Sequence, residues 1–238
     1  MEEHDGETTL ERREEPGCLF VGGKAHKFSA RLDPEDLLRI IKVATNDGNA
    51  YYEIISRLKE TNLRYRSVSP GEATDPASDL VVTSKREQAQ VGGDAVAVED
   101  LDQDPLVMES QLLSMLLEDP LKVALVGIDP GASIGVAVFY GGREIGARTT
   151  NSPDKVVDLV LKFATEVHHV SFAVKIGAGE PRLSMKLGRV LRARLPPDAS
   201  VEIVDESGTT SGKRRATGAT KDQRAAARIA FRKGTLLN

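Results

Sequence analysis

Carboxylates stand at several positions in the second half of the chain where they could hold a metal ion. They are Asp129, Glu180, the adjacent pair Asp205 and Glu206, and Asp222. Each follows a predicted strand or opens a predicted helix, and the carboxyl ends of parallel strands meet at one edge of an open α/β sheet. Carboxylates brought together there repel one another unless a hard divalent cation lies between them. The pattern therefore predicts a Mg²⁺ site at this edge.

Asp129 alone has two interpretations. It lies in the segment 125–139, which reads as an apolar strand, a turn at Asp129-Pro130-Gly131 and a second apolar strand. A carboxylate at a strand end costs free energy to desolvate unless it binds a cation or a hydrogen-bonding partner. Asp-Pro-Gly is also an ordinary turn sequence. The segment by itself leaves both a ligand and a turn-shaping residue open.

A basic segment follows the acids. Residues 213–238 contain eight Lys or Arg and one acid. Contacts from such a cluster to phosphates give affinity for nucleic acid without reading its sequence, whereas a solvated basic loop is the alternative. The candidate nucleic-acid-binding residues are Lys213, Arg214, Arg215, Lys221 and Arg224, together with Lys175 from an earlier strand.

The total charge of −4 conceals a division between the two halves. Residues 1–121 hold 13 Lys/Arg against 25 Asp/Glu, and residues 122–238 hold 19 against 11, so the halves carry −12 and +8. The excess of positive charge predicts that the second half meets a polyanion, although mutual attraction of the halves is the alternative. The single cysteine, Cys18, excludes an intramolecular disulfide framework. Without a signal-like start or a long apolar span, we expect a soluble cytoplasmic protein that has no membrane contact.

Patterning in the second half predicts the element order β-β-β-α-β-α-β-α. The predicted strands are 123–129, 134–140, 144–149, 169–176 and 201–204, and the predicted helices are 152–168, 181–195 and 221–233.

The first half is predicted to comprise a disordered acidic tail (1–17), a small α/β domain of unknown role (18–104) and a connecting helix (105–120). In the small domain one helix begins at Asp33-Pro34 and continues through Val43, and a second covers 50–60. Strands are expected at 63–68, 80–83 and 95–98, and a winged-helix arrangement is the alternative. Leucines at helical spacing on the connecting helix predict a packing surface, either between the two units or in a homodimer.

Three motifs in the second half resemble the ribonuclease H-like superfamily and, within it, its RuvC/YqgF branch. They are Gly127-Ile-Asp-Pro-Gly131, Asp205-Glu-Ser-Gly-Thr-Thr210 and Asp222-Gln-Arg-Ala-Ala-Ala-Arg-Ile-Ala230. The second is similar to a YqgF-like D-E-R-x-[ST]-T stretch, and the third to its closing D-[SA]-x-A-A-x-x-[IL] helix. The resemblance covers residues 121–235. It implies an α/β chain in which a ribonuclease H-like domain, with a mixed five-stranded sheet and helices, follows a smaller α/β domain.

The resemblance also implies a function. Relatives of this kind are Holliday junction resolvase-like or pre-16S rRNA nuclease-like proteins, so we expect a divalent-metal-dependent nuclease that cleaves branched DNA or structured RNA such as an rRNA precursor. One or two Mg²⁺ or Mn²⁺ ions would activate water. Carried over residue by residue, Asp129, Glu206 and Asp222 would be catalytic residues and metal ligands, and Glu180 a further ligand.

Three positions depart from the family pattern and keep other functions open. Lys175 stands where RuvC-like members carry an acid at the end of the fourth strand, Ala225 replaces a second acid in the last helix, and Ser207 replaces Arg. A catalytically weak or inactive nucleic-acid-binding or scaffold protein of the same fold is therefore the alternative. An actin-like or sugar-kinase ATPase is disfavoured because a second strand-Asp-x-Gly hairpin is missing. The sequence does not determine whether the substrate is DNA or RNA, and it does not determine the oligomeric state.

Overall fold

The computed structural model describes residues 18–21, 24–27, 40–72, 79–92, 95–205 and 220–237. In these residues the chain is α/β, with six α-helices and three sheets, which confirms the predicted class. The predicted acidic tail lies outside the described residues, and so does the first part of the predicted helix at 33–43. No helix in the described part of the chain is long and apolar enough to cross a membrane.

The N-terminal sheet has four parallel strands. They are β3 (Ile40–Ala44), β4 (Tyr65–Val68), β5 (Asp79–Thr83) and β6 (Val96–Ala97), in the order β4-β3-β5-β6. Parallel neighbours need a crossover connection, and α1 (Gly48–Leu58) and the short α2 (Gln88–Val91) lie in two of these crossovers. A separate hairpin is formed by β1 (Cys18–Val21) and β2 (Lys24–Lys27).

Residues 40–44 form the central strand β3, so the helix predicted to run through Val43 is wrong there. Ile41 and Val43 face the large hydrophobic core, while Ala44 faces a small cluster on the opposite side of the sheet. A strand that is buried on both faces reads as a continuous apolar run, and periodicity alone cannot distinguish it from a buried helix. The parallel sheet also excludes the winged-helix alternative.

Helix α1 confirms the second predicted helix of this half. Asp47 is its N-cap, and its carboxylate accepts hydrogen bonds from the backbone N–H groups of Asn49 (2.8 Å) and Ala50 (3.3 Å). Ile54 and Leu58 on the inner face are fully buried. The segment Asn46-Asp47-Gly48 is therefore the capping turn between β3 and α1.

The C-terminal sheet has six strands in the order β12-β11-β10-β7-β8-β9. They are β7 (Val123–Asp129), β8 (Ile134–Tyr140), β9 (Arg143–Thr150), β10 (Ser171–Gly177), β11 (Ser200–Val204) and β12 (Thr235–Leu236). Strands β7, β10 and β11 are parallel, and β8, β9 and β12 each pair antiparallel with a neighbour. The five predicted strands are present, whereas β12, of only two residues, was not predicted. Gly141 and Gly142 adopt positive φ (57° and 81°), as a two-residue hairpin turn requires.

Helices cover both faces of this sheet. On one face α4 (Pro153–Glu166) and α5 (Pro181–Arg194) join the large core through Val126, Ile128 and their neighbours. On the other face α6 (Lys221–Ala230) packs its alanines on Leu125 and Ala137. The approach of α6 is close. A Cβ added at Gly127 would overlap the carbonyl oxygen of Ala226 and lie 2.9 Å from the Cβ of Ala230.

The connecting helix α3 (Pro105–Leu116) belongs to the same large core as both sheets. Leu112 and Leu113 are fully buried, so the leucine stripe packs within the chain, and the homodimer stays a prediction. Glu109 is also buried and accepts a hydrogen bond from the backbone N–H of Asn62 at 3.0 Å, while the Asn62 Nδ2 group donates to the carbonyl oxygen of Ile145 at 2.9 Å. Burial raises the pKa of Glu109. The hydrophobic core is continuous across residues 104 and 121 and does not mark a division there. The domain boundaries predicted at these residues therefore stay predictions.

The glycine under α6 gives the first prediction. Gly127→Ala should lower the free energy of unfolding by about 2 kcal/mol, because the helix backbone must move away from the sheet. Gly71→Ala is the matched control, since a Cβ there meets nothing within 4 Å, and it should change stability by less than about 0.5 kcal/mol. Urea unfolding of both variants measures the difference. Equal midpoints for Gly127→Ala and the wild type would show that the contact does not hold the helix in place.

Candidate functional site

The structure brings Asp129 and Asp222 to the same place. Asp129 ends β7 and lies directly opposite Gly135 on β8, and the side chains of cross-strand partners project from the same face of a sheet. A Cβ added at Gly135 would lie 3.2 Å from the Cβ of Asp222. The two aspartate Cβ atoms are therefore within roughly 9 Å of each other on the α6 face. This is the pairing that the carboxyl-edge argument predicted.

The start of α6, where Asp222 lies, is firmly held. Thr220 is the N-cap, and its side chain and that of Gln223 form a reciprocal capping box. The Gln223 amide also donates to the carbonyl oxygen of Ala147 at 3.2 Å. The Ser133 hydroxyl donates a hydrogen bond to Asp222 Oδ2. An acid in the first turn of a helix is favoured by the helix dipole, so Asp222 has a structural role besides any ligand role.

The other predicted acids do not complete a cluster in the described residues. Glu180 is exposed at the residue before α5, and Asp205 is exposed one residue after β11. Glu206 lies outside the described residues, as do Lys213, Arg214 and Arg215. Within the residues that the structure describes, no group of three or more acid, histidine or cysteine side chains could hold a metal ion. The structure thus brings together two of the predicted ligands, and the roles assigned to the others stay predictions.

Lys175 is not a nucleic-acid-binding residue, contrary to the prediction. Its side chain is 2 % exposed, because the alternation of β10 turns it inward under the end of α6. The Nζ atom donates to the carbonyl oxygen of Arg232 at 2.6 Å and lies 3.5 Å from Glu202 Oε2. Glu202 in turn accepts a hydrogen bond from the backbone N–H of Gly234 at 3.1 Å. Lys175 therefore anchors the segment after α6 to the sheet.

The outward face of α6 is basic. Lys221 and Arg224 are exposed, as predicted, and Arg228 is exposed on the same side of the helix. These positions are three and four residues apart, so they form one row along the helix. Ala226, Ile229 and Ala230 face the sheet. Arg228 was absent from the predicted set, although its spacing from Arg224 could have identified it.

A second carboxyl edge lies in the N-terminal sheet, between β3 and β5. The chain passes from β3 to β4 on one side and then to β5 on the other, and ligands of open α/β sheets bind at such a switch point. Here the Glu87 carboxylate occupies that position. It accepts hydrogen bonds from the Thr45 hydroxyl, the Ser84 hydroxyl (2.8 Å) and the backbone N–H of Asn46 (2.8 Å).

Residues 40–112 match the family model of a response regulator receiver-like domain. The match covers the N-terminal sheet and most of α3. None of the curated proteins compared with the chain matches it.

The receiver-like match corrects the family assignment made from the motifs. It falls outside residues 121–235, where the ribonuclease H-like, RuvC/YqgF-like resemblance was placed, and its description is that of a signalling domain. The identification with that superfamily is therefore wrong, and so are the nuclease and Holliday junction resolvase-like terms derived from it. Three short motifs were too little to carry a family assignment, because Gly-rich turns and Ala-rich helices recur on many α/β folds.

The N-terminal sheet holds its switch point closed with its own anion, the Glu87 carboxylate. Hydrogen bonding from the Thr45 hydroxyl, and next from the Asn46 N–H, lowers the pKa of Glu87 below its ordinary value. The carboxylate is therefore ionised at neutral pH, and three donors that could bind an external anion are engaged. No signal in the sequence had pointed to Glu87, because two of its three partners, Thr45 and Asn46, come from a different strand end, 42 and 41 residues away.

Glu87 gives a pH-dependent prediction. Because its pKa is lower in the folded chain than in the unfolded chain (about 4.3), its contribution to stability is present above that pH and is lost as the pH falls through the folded value. The wild type should therefore exceed Glu87→Gln in stability at pH 7, and the difference should shrink below about pH 4.5. Chemical denaturation from pH 3 to 7 measures it. Thr45→Val removes the strongest donor and should flatten the curve; a difference between wild type and Glu87→Gln that does not vary with pH would contradict the assignment.

Proposed function

We propose that this protein is a receiver-like regulatory protein of the cytoplasm whose C-terminal half binds structured nucleic acid. The observation that supports the binding function most directly is the orientation of α6, which buries its alanines and presents Lys221, Arg224 and Arg228 in a row. From Lys221 to Arg228 the helix rises about 10 Å, which corresponds to about three phosphate steps along one strand.

The row on α6 suits a polyanion because it is pre-ordered. The capping box at Thr220 fixes the start of the helix, and the contact of Lys175 with the carbonyl oxygen of Arg232 fixes the segment after its end. Cations on a fixed helix lose little conformational freedom on binding. Such contacts position a nucleic acid by its backbone and carry no base specificity.

The ion pairs that join the two halves do not involve the basic row on α6, which consists of Lys221, Arg224 and Arg228. Arg148 pairs with Asp104, and Lys162 pairs with Asp102 at 2.6 Å. Attraction between the oppositely charged halves, the alternative interpretation of the charge division, therefore acts where residues 102–104 meet β9 and α4. In the described residues no ion pair involves Lys221, Arg224 or Arg228. Their charge is available to a partner.

We further propose that Mg²⁺ or Mn²⁺ binds at the carboxyl edge beside α6, between Asp129 and Asp222. Two carboxylates on one face are few ligands for a protein-only site. They suit Mg²⁺, which keeps several waters and takes further oxygens from phosphate. A metal ion there would link a bound phosphate to the sheet edge without requiring a third carboxylate.

The receiver-like domain supplies the regulatory part of the proposal. Its match includes residues of α3, and α3 is packed in the core that both sheets share. A shift of α3 that follows a change at the receiver-like domain would therefore reach β8, β9 and α4. Because the core is continuous, coupling between the receiver-like domain and nucleic-acid binding by the C-terminal half is physically feasible. A change in nucleic-acid affinity when the receiver-like domain is altered would demonstrate it.

The α6 row gives the third prediction. The triple variant Lys221→Gln/Arg224→Gln/Arg228→Gln should bind duplex DNA or a stem-loop RNA at least tenfold more weakly at 0.1 M salt. Its salt dependence should also lose about two to three units of slope, close to one for each phosphate contact removed. Fluorescence anisotropy over a salt series measures both quantities.

A matched control is present on the opposite face of the same sheet. Arg182, Lys186 and Arg189 are exposed on α5 with comparable spacing, and the corresponding triple glutamine variant should bind like the wild type. An equal loss in both triple variants would show that net charge, not the α6 row, determines binding. Cleavage of either probe in the presence of Mn²⁺ would contradict a purely binding function.

The metal proposal gives the fourth prediction. Asp129→Asn should weaken Mn²⁺ binding at least tenfold, measured by titration calorimetry on the full chain, because it removes a charged ligand. Asp198→Asn, which changes an exposed carboxylate in the α5–β11 loop, is the control and should leave the affinity unchanged. Metal binding that is equal in the wild type and Asp129→Asn would place the ion elsewhere.

A further inference from the structure

An aromatic side chain continues the basic row of α6. Phe231 is the C-cap residue of the helix, three residues beyond Arg228, and this spacing keeps it on the side that carries the row. It is 41 % exposed. A single exposed apolar residue is ordinary on a protein surface. The alignment of this one with three cations is not, because proteins that bind single strands combine cations along the backbone with aromatic side chains for the bases.

The ring of Phe231 is held in place from the side of the sheet. It meets the ring of Phe139 edge to face, with centroids 4.6 Å apart and planes at 77°. Phe139 lies on β8 and belongs to the small core beneath α6. The next residue is also fixed, because the carbonyl oxygen of Arg232 accepts the hydrogen bond from Lys175. The exposed part of the ring is therefore a pre-ordered apolar surface, and a planar group that covers it immobilises little that was mobile before.

The spacing along the helix suits a nucleic acid strand. Phe231 lies about 4.5 Å beyond Arg228 along the axis, and successive nucleotides of one strand are about 3.4 Å apart. The ring is thus roughly one nucleotide step beyond the last cation of the row. Lys233, which is exposed, follows two residues later and adds a cation on the far side of the ring.

We propose that Phe231 stacks on an unpaired base, so that the C-terminal half binds a duplex stem where a loop, a bulge or a strand end adjoins it. This inference rests on the proposed binding of nucleic acid by the α6 row. Bases inside a duplex are stacked on both faces by their neighbours, whereas the unstacked bases of loops, bulges and ends stack on aromatic side chains. Every base has such a face, so the contact selects structure and not sequence.

Two probes with one stem sequence test the proposal. One is a blunt duplex, and the other is a hairpin that has the same number of phosphates and an unpaired loop. Fluorescence anisotropy on the full chain should show the hairpin bound at least fivefold more tightly than the duplex. Phe231→Ala should remove this preference, and its salt dependence should equal that of the wild type because no cation is lost. Phe231→Tyr, which keeps a ring, should retain the preference.

Two further variants separate stacking from other effects. Phe231→Leu keeps an apolar side chain against Phe139 but has no planar face. It should therefore unfold in urea close to the wild-type midpoint and still lose the preference for the hairpin. Tyr52→Ala, which removes an aromatic ring of a residue that is 76 % exposed on α1, is the matched control and should leave the preference unchanged.

The proposal is overturned if the wild type binds the two probes equally, if Phe231→Ala or Phe231→Leu retains the hairpin preference, or if Phe231→Tyr loses it. In each of these results the α6 triple glutamine variant still weakens the binding of both probes, and the proposed function stands. A triple variant that binds both probes like the wild type would instead contradict the proposed function itself, and the inference would fail with it.

Discussion

The close approach of α6 to the C-terminal sheet is the constraint on which this half of the molecule depends. Gly127 and Gly135 have no Cβ at two positions where the helix backbone would overlap one. Because the helix can then lie directly on β7 and β8, Asp222 reaches the end of β7 and the basic row turns to solvent. A bulkier residue at either glycine would lift the helix and separate Asp222 from Asp129. The placement of charge at this edge thus follows from the absence of side chains beneath it.

The buried pair of Lys175 and Glu202 holds the other end of the same helix. Taking both charges out of water is costly, and hydrogen bonds must satisfy the atoms that the pair leaves over. The carbonyl oxygen of Arg232 and the backbone N–H of Gly234 do so. The pair therefore fixes the turn after α6 and the path into β12. Lys175, which was predicted to bind nucleic acid at the surface, is therefore a buried residue that supports the basic helix α6.

Predictability differed between the two halves for a physical reason. In the C-terminal half, hairpin glycines, Ser or Pro at helix starts and amphipathic helices mark each element, so the strands and helices could be placed. Strand β3 carries no such signal, because it is buried on both faces and the Asp33-Pro34 pair before it resembles a helix start. Asp129 could be placed at this edge from strand direction and Asp222 from its position at a helix start, although the same argument also placed Glu180 and Asp205 there. The burial of Lys175 and the hydrogen bonds of Glu87 could not be predicted, since both depend on contacts distant in sequence.

The carboxyl edges of the N-terminal and C-terminal sheets differ in the charged groups that lie there. In the N-terminal sheet the donors at the switch point between β3 and β5 are satisfied by Glu87, so this edge is closed by the chain's own anion. In the C-terminal sheet the residue opposite Asp129 is Gly135, and the backbone of α6 at Asp222 fills the space that a side chain there would take. The second edge therefore brings two carboxylates together, whereas at the first edge a single carboxylate meets three hydrogen-bond donors. Because neighbouring carboxylates repel one another unless a cation lies between them, the C-terminal edge is the one of the two that favours a cation.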